Sequence, residues 1–315
     1  MSGTGVGEAA DPLVLDEILS GLLADQKTLP AKLFYDAEGC DLFGRITTLP
    51  EYYVTRAEMA LLDRHAGEIA ATAPAGAALV EYGASDEAKG MTLLRAGRFA
   101  AYVPIDIAPD ALAALAGRMG AGAPGLPVHT VAADFLQPLA LPAAVDGLPR
   151  FGFFPGSTIG NFRPPTAVRF LRMVRDTLGG AEARFVVGTD LRKDPAVLIP
   201  AYDDAQGVTA AFNRNILLHV NRLAKADFVP ERFRHRAIWN HRDGRIEMHL
   251  EAAEAHEVSV AGRTVQFRRG ETIHTEDSYK HTREGFISLA GEAGWRSGGF
   301  WSDPNGLFGM HLLLG

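Results

Sequence analysis

Between residues 78 and 188 the chain alternates short, nearly all-apolar runs with longer helical stretches, and this alternation restricts the fold more than any other feature. The runs are Ala78 to Tyr82, Ala100 to Asp106, Val128 to Ala132, Phe151 to Phe154 and Phe185 to Gly188. A strand that is apolar on both faces must be covered on both, and helices between successive strands supply the cover. A parallel, doubly wound α/β sheet follows. The connecting helices are legible as well: Val168, Leu171, Val174 and Leu178 mark one face of the segment opened by Pro164-Pro165.

The flanking regions read differently. From Pro12 to about His65 the spacing of Leu13, Leu15, Ile18, Leu19, Leu22 and Leu23, and a further helix from Ala57 to Leu62, predict an all-helical front end. After Asp190 the rhythm becomes a helical segment, Pro195 to Ala224. A meander of alternating apolar and polar residues then runs through Phe233 to His241, Arg245 to Glu251, Val258 to Val260 and Val265 to Phe267, with one wet face expected. A helix at 283–294 and strands at 299–301 and 307–314 return to the core. The expected organisation is a loose tail (1–10), a front helical segment (11–69), a core (70–192 and 282–315) and an inserted region (193–281) that forms a second domain with the front helices.

Composition narrows the function classes. The chain has 315 residues, 47% of them apolar, and 31 basic against 38 acidic side chains, with no basic block that would capture nucleic acid phosphates. The single cysteine, Cys40, excludes an internal disulfide and a cysteine-rich zinc site. The first residues lack the pattern of a signal peptide, and no stretch reaches the roughly 18 apolar residues of a membrane span. A cytoplasmic protein with a small-molecule ligand is expected, with no nucleic acid, membrane or obligate protein partner.

The ends of the core strands carry the ligand signal. Gly83 follows the first strand, where a ligand can approach bare backbone, although Ser85 stands where a nucleotide fingerprint would place a second glycine. Asp106 closes the second strand 23 residues later, in position to accept ribose hydroxyls. Asp134 and Phe135 close the third, an acceptor for an adenine amino group and a ring to pack on the base. Each acid alone reads first as an N-cap or a solvated strand end; acids at successive strand ends together favour a nucleoside site. A dinucleotide would want a fuller glycine loop. S-adenosyl-L-methionine, which carries a sulfonium and no phosphate, does not, so methyl transfer is favoured.

Tyrosines cluster in the front end, in Leu33-Phe-Tyr-Asp36 and Leu49-Pro-Glu-Tyr-Tyr-Val-Thr-Arg56. Together with Gly156 to Asn161, Gly188 to Asp194, Ala201 to Asp204, Arg245 to Met248 and Ile273 to Ser278, these stretches resemble the histidine-specific Nα-methyltransferases of ergothioneine biosynthesis. The resemblance runs from about residue 28 to the C-terminus in the same order, and several of its blocks lie outside the general methyltransferase core. It implies a Rossmann-like class I methyltransferase core with a second α+β domain, histidine bound between the two, and trimethylation of the α-amino group of L-histidine, through its mono- and dimethyl forms, to hercynine.

By motif match the resemblance implies that Glu276 and Ser278 hold the two imidazole nitrogens, one accepting and one donating or accepting as the tautomer requires. Tyr52, Gly156, Asn161 and Tyr202 would hold the amino acid's amine and carboxylate. Tyr35 would border the reacting nitrogen and Met248 the imidazole. For the cofactor the match carries over Gly83, Lys89, Asp106, Asp134 and Phe135. Ala84, Asp86 and Glu87 depart from the family's glycine-rich first loop.

Plainer readings stand beside these. The tyrosines, among which Tyr52 and Tyr53 are interchangeable at this level, could be packing residues. Asn161 could cap the helix begun at Pro164, and Lys89 could be a solvated helix charge. By alternation alone Glu276 and Ser278 read as the exposed face of a strand. Met248 reads as core, and His235, His241 and His249 as solvent-side meander residues rather than metal ligands. The rival functions are a methyltransferase of the same fold acting on another amine, and a non-catalytic sensor of adenosylmethionine or histidine.

Overall fold

A computed structural model describes residues 11–84 and 87–315; the expected tail at 1–10 and the readings made at Ser85 and Asp86 lie outside the described residues. The front end forms α1 (Pro12–Leu22), a two-residue strand β1 (Lys27–Thr28), α2 (Ala37–Ile46) and α3 (Tyr53–Ala71). Asp11 and Asp36 start α1 and α2 by accepting from the N–H groups of Leu13 at 2.9 Å and Gly39 at 2.7 Å, which satisfies donors the helix cannot. The alternating stretch gives β2 (Ala78–Tyr82), α4 (Ala88–Ala96), β3 (Ala101–Asp106), α5 (Pro109–Gly122), β4 (Val131–Ala132), β5 (Arg150–Phe154), α6 (Pro164–Thr177) and β6 (Arg184–Asp190). β4 is shorter than its apolar run, and Val128 makes only a lone bridge to Tyr102.

The insertion forms α7 (Pro195–Leu198), α8 (Val208–Ala224), β7 (Phe233–Asn240), β8 (Arg245–Ala252), β9 (His256–Val260), β10 (Arg263–Phe267) and β11 (Thr272–Tyr279). The chain closes with α9 (Arg283–Glu292), β12 (Arg296–Ser302) and β13 (Phe308–Leu314). The single helical segment expected over 195–224 is interrupted. Asp204 ends the interruption by accepting from the N–H groups of Val208 at 3.0 Å and Thr209 at 2.7 Å, and so starts α8 afresh.

The chain divides into two compact units. The core unit comprises Tyr53–Asp194, Arg242–Gly244 and Ser278–Gly315. Its sheet has seven strands in the order β12-β13-β6-β5-β2-β3-β4, parallel from β6 through β4, with β13 antiparallel to both β6 and β12. Val80 pairs across to Val103 and Gly152, and β2 is the strand at which the order reverses. Open α/β sheets bind ligands at the carboxyl ends beside such a reversal. Phe154, Phe185, Leu171 and Phe286, each fully buried, form part of the packing of α6 and α9 on one face. Burial of each such side chain contributes about 1.5–3 kcal/mol.

The boundary falls at Tyr52/Tyr53, ahead of the expected 69/70. α3 packs on α4 and β13 through a stripe that includes the fully buried Leu61, Leu62 and Ile69, and this ties it to the core unit.

The insertion unit holds the chain up to Tyr52 with Pro195–His241 and Arg245–Asp277. Its four-stranded sheet runs β1-β11-β8-β7, and β9 and β10 pair as a separate hairpin. α8 covers β7 and β8 with Phe212, Ile216 and Val220. The one-wet-face expectation holds for β7, which alternates in exposure, and fails for β8, which is buried over Ile246–Leu250 on both faces. The expected meander stopped short of β11, an inner strand between β1 and β8, although Glu276 and Ser278 read by alternation as one face of a strand.

Candidate active site

In the core unit the cofactor candidates fall at neighbouring strand ends. Gly83 follows β2 at φ +72°, a left-handed conformation that favours glycine, and its N–H donates to the Ile105 carbonyl at 2.8 Å. Asp106, the last residue of β3, accepts from the Ala108 N–H at 2.9 Å, and burial pushes its carboxyl above the usual range. Asp134, beyond β4, makes the same turn with the Leu136 N–H at 2.9 Å. Phe135 is half-buried, with its ring 5.7 Å from Phe154 and 6.4 Å from Tyr82. The structure brings these together: a side chain at Gly83 would meet Phe135 at 3.8 Å, and the Ala133 N–H donates to the Asp106 carbonyl at 2.9 Å.

The loop after β5, which carries Gly156 and Asn161, is fastened at three points. Glu58 on α3, fully buried, accepts from the Gly156 N–H at 2.7 Å and pairs with Lys89 of α4 at 2.7 Å. Lys89 is therefore not a solvated helix charge. Ser157 is left-handed at φ 58°, a conformation that costs a non-glycine residue about 1 kcal/mol or more, and its hydroxyl accepts from the Asp190 N–H at 2.8 Å. Gly160 lies so close to the last residue of β11 that an added Cβ would stand 2.7 Å from the Tyr279 carbonyl oxygen. Asn161 ends a 3₁₀ turn, Thr158–Asn161, and does not cap α6, whose N-cap residue is Arg163 with no side-chain bond.

Asp190, at the end of β6, is the hub behind this loop. Its buried carboxylate accepts from the Tyr53 hydroxyl at 2.9 Å and pairs with Lys280 at 2.8 Å and with Lys193. Burial alone would raise this carboxyl; Lys280 and Lys193 outweigh it and hold the group ionised, below the usual range. The Lys193 ammonium also lies 4.5 Å from the centre of the Tyr53 ring. Lys280 reaches Ser278 as well, donating to its hydroxyl oxygen at 2.8 Å. The Tyr53 hydroxyl is thus engaged with Asp190, which separates Tyr53 from its neighbour Tyr52.

In the insertion unit three of the predicted tyrosines share one aromatic array. Tyr35, just past the 3₁₀ turn Ala31–Phe34, presents its ring edge-on to Phe43 at 6.1 Å and Phe212 at 6.3 Å. Phe43 meets Tyr52 at 6.3 Å, and Tyr52 meets Tyr202 at 6.4 Å. Tyr202 is held through its backbone. His235 Nε2 donates to the Tyr202 carbonyl at 2.7 Å while its Nδ1 receives from Asn213 at 2.8 Å, an arrangement that requires one neutral tautomer. Asn213 continues to Thr275, whose hydroxyl donates to its side-chain oxygen at 2.7 Å.

Met248 and Glu276 lie on adjoining strands, β8 and β11, with the Thr275 hydroxyl 3.0 Å from the Met248 carbonyl. Met248 is core-buried, as its residue type predicts. Glu276 is half-buried on a strand whose neighbouring positions are buried, not on an exposed face. The residues around it are pinned: His274 Nε2 lies 3.0 Å from the Glu276 carbonyl and from Asp277 Oδ1, and Asp277 pairs with Arg245 at 3.0 Å.

Behind this strand Glu247, His249 and His274 bring one donor atom each within 4.8 Å of one another. Arg245, 2.6 Å from Glu247, already answers the carboxylate charge there. Hydrogen bonds from Asn240, Arg245 and His249 overcome burial and bring Glu247 down to about 2. His235 and His249 are therefore interior groups, both with pKa lowered by burial, and the solvent-side reading fails for them; His241 is exposed as expected. Sequence reasoning gave no role to Glu58, Asp190, Lys193, Lys280 or Asn213, although Asp190 and Lys193 lie in the resembling stretch Gly188 to Asp194.

Among the described residues no helix is long and apolar enough to cross a membrane. A model of the SAM-dependent, histidine-specific methyltransferase family matches residues 14–314. The chain is 43% identical to the histidine N-alpha-methyltransferase of Mycolicibacterium smegmatis over 97% of its own length and 96% of that protein's. It is 39% identical to the protein of the same name from Mycobacterium tuberculosis, over 98% of this chain and 97% of the other. Among solved structures, OxaC in complex with SAH and oxaline superposes with a TM-score of 0.50 at 12% identity, over 90% of this chain and 52% of that one, a likeness of fold. The strand order reversing at β2, Asp106 and Asp134 at neighbouring strand ends and a family match over nearly the whole length agree, and the chain belongs to the SAM-dependent histidine-specific methyltransferases.

Proposed function

We propose that this protein transfers methyl groups from S-adenosylmethionine to the α-amino group of L-histidine, three in succession, to give hercynine for ergothioneine synthesis. The observation that carries the reading is β11, an inner strand of polar residues that holds Glu276 among pinned neighbours. A strand with little apolar surface of its own gains little from burial. Its place inside a sheet suits a strand that exists to hold a carboxylate in one position.

The cofactor, when bound, supplies an electrophilic methyl group on a sulfonium. The core unit offers it what an adenosine needs: Asp106 to accept from ribose hydroxyls, Asp134 for the adenine amino group, Phe135 to pack on the base, and the left-handed backbone at Gly83 beside them. Lys89, held by Glu58, borders the same loop region.

For the amino acid, Glu276 and Ser278 take the two ring nitrogens and Met248 borders the ring. Tyr52, Tyr202, Gly156 and Asn161 take the carboxylate and amine, and Tyr35 borders the nitrogen that reacts. Attack requires an unprotonated amine in line with the methyl group. A hydrogen-bond acceptor such as Asn161 orients the lone pair, and tyrosine rings and hydroxyls tolerate the positive charge that develops on the nitrogen in each attack and stays after the third. In each round a C–N bond forms, the S–C bond breaks and leaves a neutral thioether, and the amine proton passes to water. An α-amine titrates near neutrality, so no strong base is needed.

The test is incubation of the purified protein with histidine and S-adenosylmethionine, read by mass spectrometry, beside a panel of other amino acids. Products bearing one, two and three added methyl groups on histidine are expected. Turnover of a different amine with none on histidine would overturn the proposal.

A further inference from the structure

We infer that Lys280 is a positioning residue of the imidazole site and acts through Ser278; the inference rests on the reading above, in which Ser278 meets a ring nitrogen. Lys280 lies one residue past the end of β11 with its side chain fully buried. Its ammonium is divided between Asp190, at 2.8 Å, and the Ser278 hydroxyl oxygen, at 2.8 Å. An ammonium has three donors and no acceptor, whereas a hydroxyl has one hydrogen and two lone pairs. The Lys280 contact therefore occupies a lone pair of Ser278 and turns its hydrogen to the side away from Lys280.

The consequence is selective. Toward a ring nitrogen Ser278 presents a donor, and the nitrogen it meets is the one that carries a lone pair. Glu276, as a carboxylate, only accepts, so it takes the ring N–H. The pair thereby reads a neutral imidazole in one tautomer, and the choice is made by a lysine that touches neither ring nitrogen.

The surroundings of Lys280 show why it can be replaced without leaving a bare charge. Asp190 also pairs with Lys193 and accepts from Tyr53, so two ammoniums share one carboxylate. Removing Lys280 leaves one cation to one anion, with the Ser157 hydroxyl still bonded to the Asp190 backbone.

The test is a double-mutant cycle on the full-length protein with Lys280→Met and Ser278→Ala, measuring KM for histidine, kcat and the affinity for S-adenosylhomocysteine. K280M is expected to raise KM for histidine by about tenfold, the worth of one charge-assisted hydrogen bond, and to leave kcat and S-adenosylhomocysteine binding within about twofold. In the S278A background K280M should add less than about twofold, because the group it acts through is gone. An unchanged KM in K280M, or effects that multiply in the double variant, would overturn the inference while leaving histidine methylation standing. Failure of the wild-type protein to bind histidine would instead remove the reading beneath it. Should K280M lack a cooperative melt, Lys280→Gln carries the same cycle. Its amide both donates and accepts, so KM is expected between the wild-type and S278A values, and a wild-type KM would overturn the inference.

Discussion

The loop after β5 in the core unit is fastened by ions and backbone donors, whereas the tyrosines of the insertion unit are fastened by one another's rings. Glu58 and Asp190 are buried carboxylates, each with lysine partners, and between them they fix Gly156 and Ser157. Tyr35, Tyr52 and Tyr202 stand in edge-on contact through Phe43 and Phe212, with ring centres 6.1–6.4 Å apart. Ionic fastening sets atoms to within a few tenths of an ångström, but it is intolerant: removing one partner strands the other in a medium that solvates it poorly. Ring packing is additive and forgiving, since each contact contributes on the order of 1 kcal/mol and the array relaxes around a change.

The comparison can be broken most decisively at Asp190. Asp190→Ala removes the carboxylate that Lys193 and Lys280 share, and a loss of about 3–5 kcal/mol in unfolding free energy is expected by chemical denaturation. If D190A unfolds at the wild-type midpoint, the ionic account of the core loop is wrong.

Acid sharpens the same contrast. His281 in the core unit is brought down to about 4 by burial, with the Lys280 charge acting in the same direction. The unfolded chain binds a proton below about 6.5 where the folded chain does not, so the stability held by neutral His281 is complete above pH 6.5 and declines as the pH falls toward 4. On the order of 3 kcal/mol is expected across that window, and denaturation curves at successive pH values should flatten in His281→Leu.

Glu276→Ala is expected to weaken histidine binding by about 10–100-fold in calorimetry, the cost of a charged hydrogen bond, and to leave S-adenosylhomocysteine affinity unchanged. Equal losses for both ligands would mean that β11 supports the fold rather than the amino acid. The smallest effect belongs to Tyr35→Phe, which keeps both ring contacts; melting within about 0.5 kcal/mol of wild type is expected. A marked loss of stability would show that the hydroxyl, not the ring, does the fastening there.

How far the sequence could be read follows from the kind of residue doing the work. Strands β2, β3, β5 and β6 were legible because burial on both faces demands unbroken apolar runs. Asp106 at the end of β3 stood out because an apolar run stops there. The array of Tyr35, Tyr52 and Tyr202 was marked by residue type but not by contact, since Phe43 and Phe212, which join it, look like ordinary helix-face residues. β11 was legible as a strand face in Glu276 and Ser278 but not as an inner strand, because its side chains find polar partners from β8 and α8, and hydropathy contains no record of partners. The interior positions of His235 and His249 were hidden for the same reason: they alternate as a wet face would, and only Asn213, Glu247 and the Tyr202 carbonyl make them dry.

The amino-acid sequence by itself determined the α/β core, the presence of an insertion, the acids Asp106 and Asp134 at strand ends and a family resemblance carried by local motifs. Each of these is written in apolar periodicity or in residues a few positions apart, where local chain geometry limits the possible neighbours. Only the tertiary structure decided that α3 belongs to the core unit, that Glu58 and Asp190 stand under the loop of Gly156, and that Lys280 pairs with Asp190. Those are pairings between residues as many as 98 positions apart for Glu58 and Gly156, or 90 for Asp190 and Lys280. A buried charge is stable only beside a partner that folding delivers, and nothing local in the chain says which partner that will be.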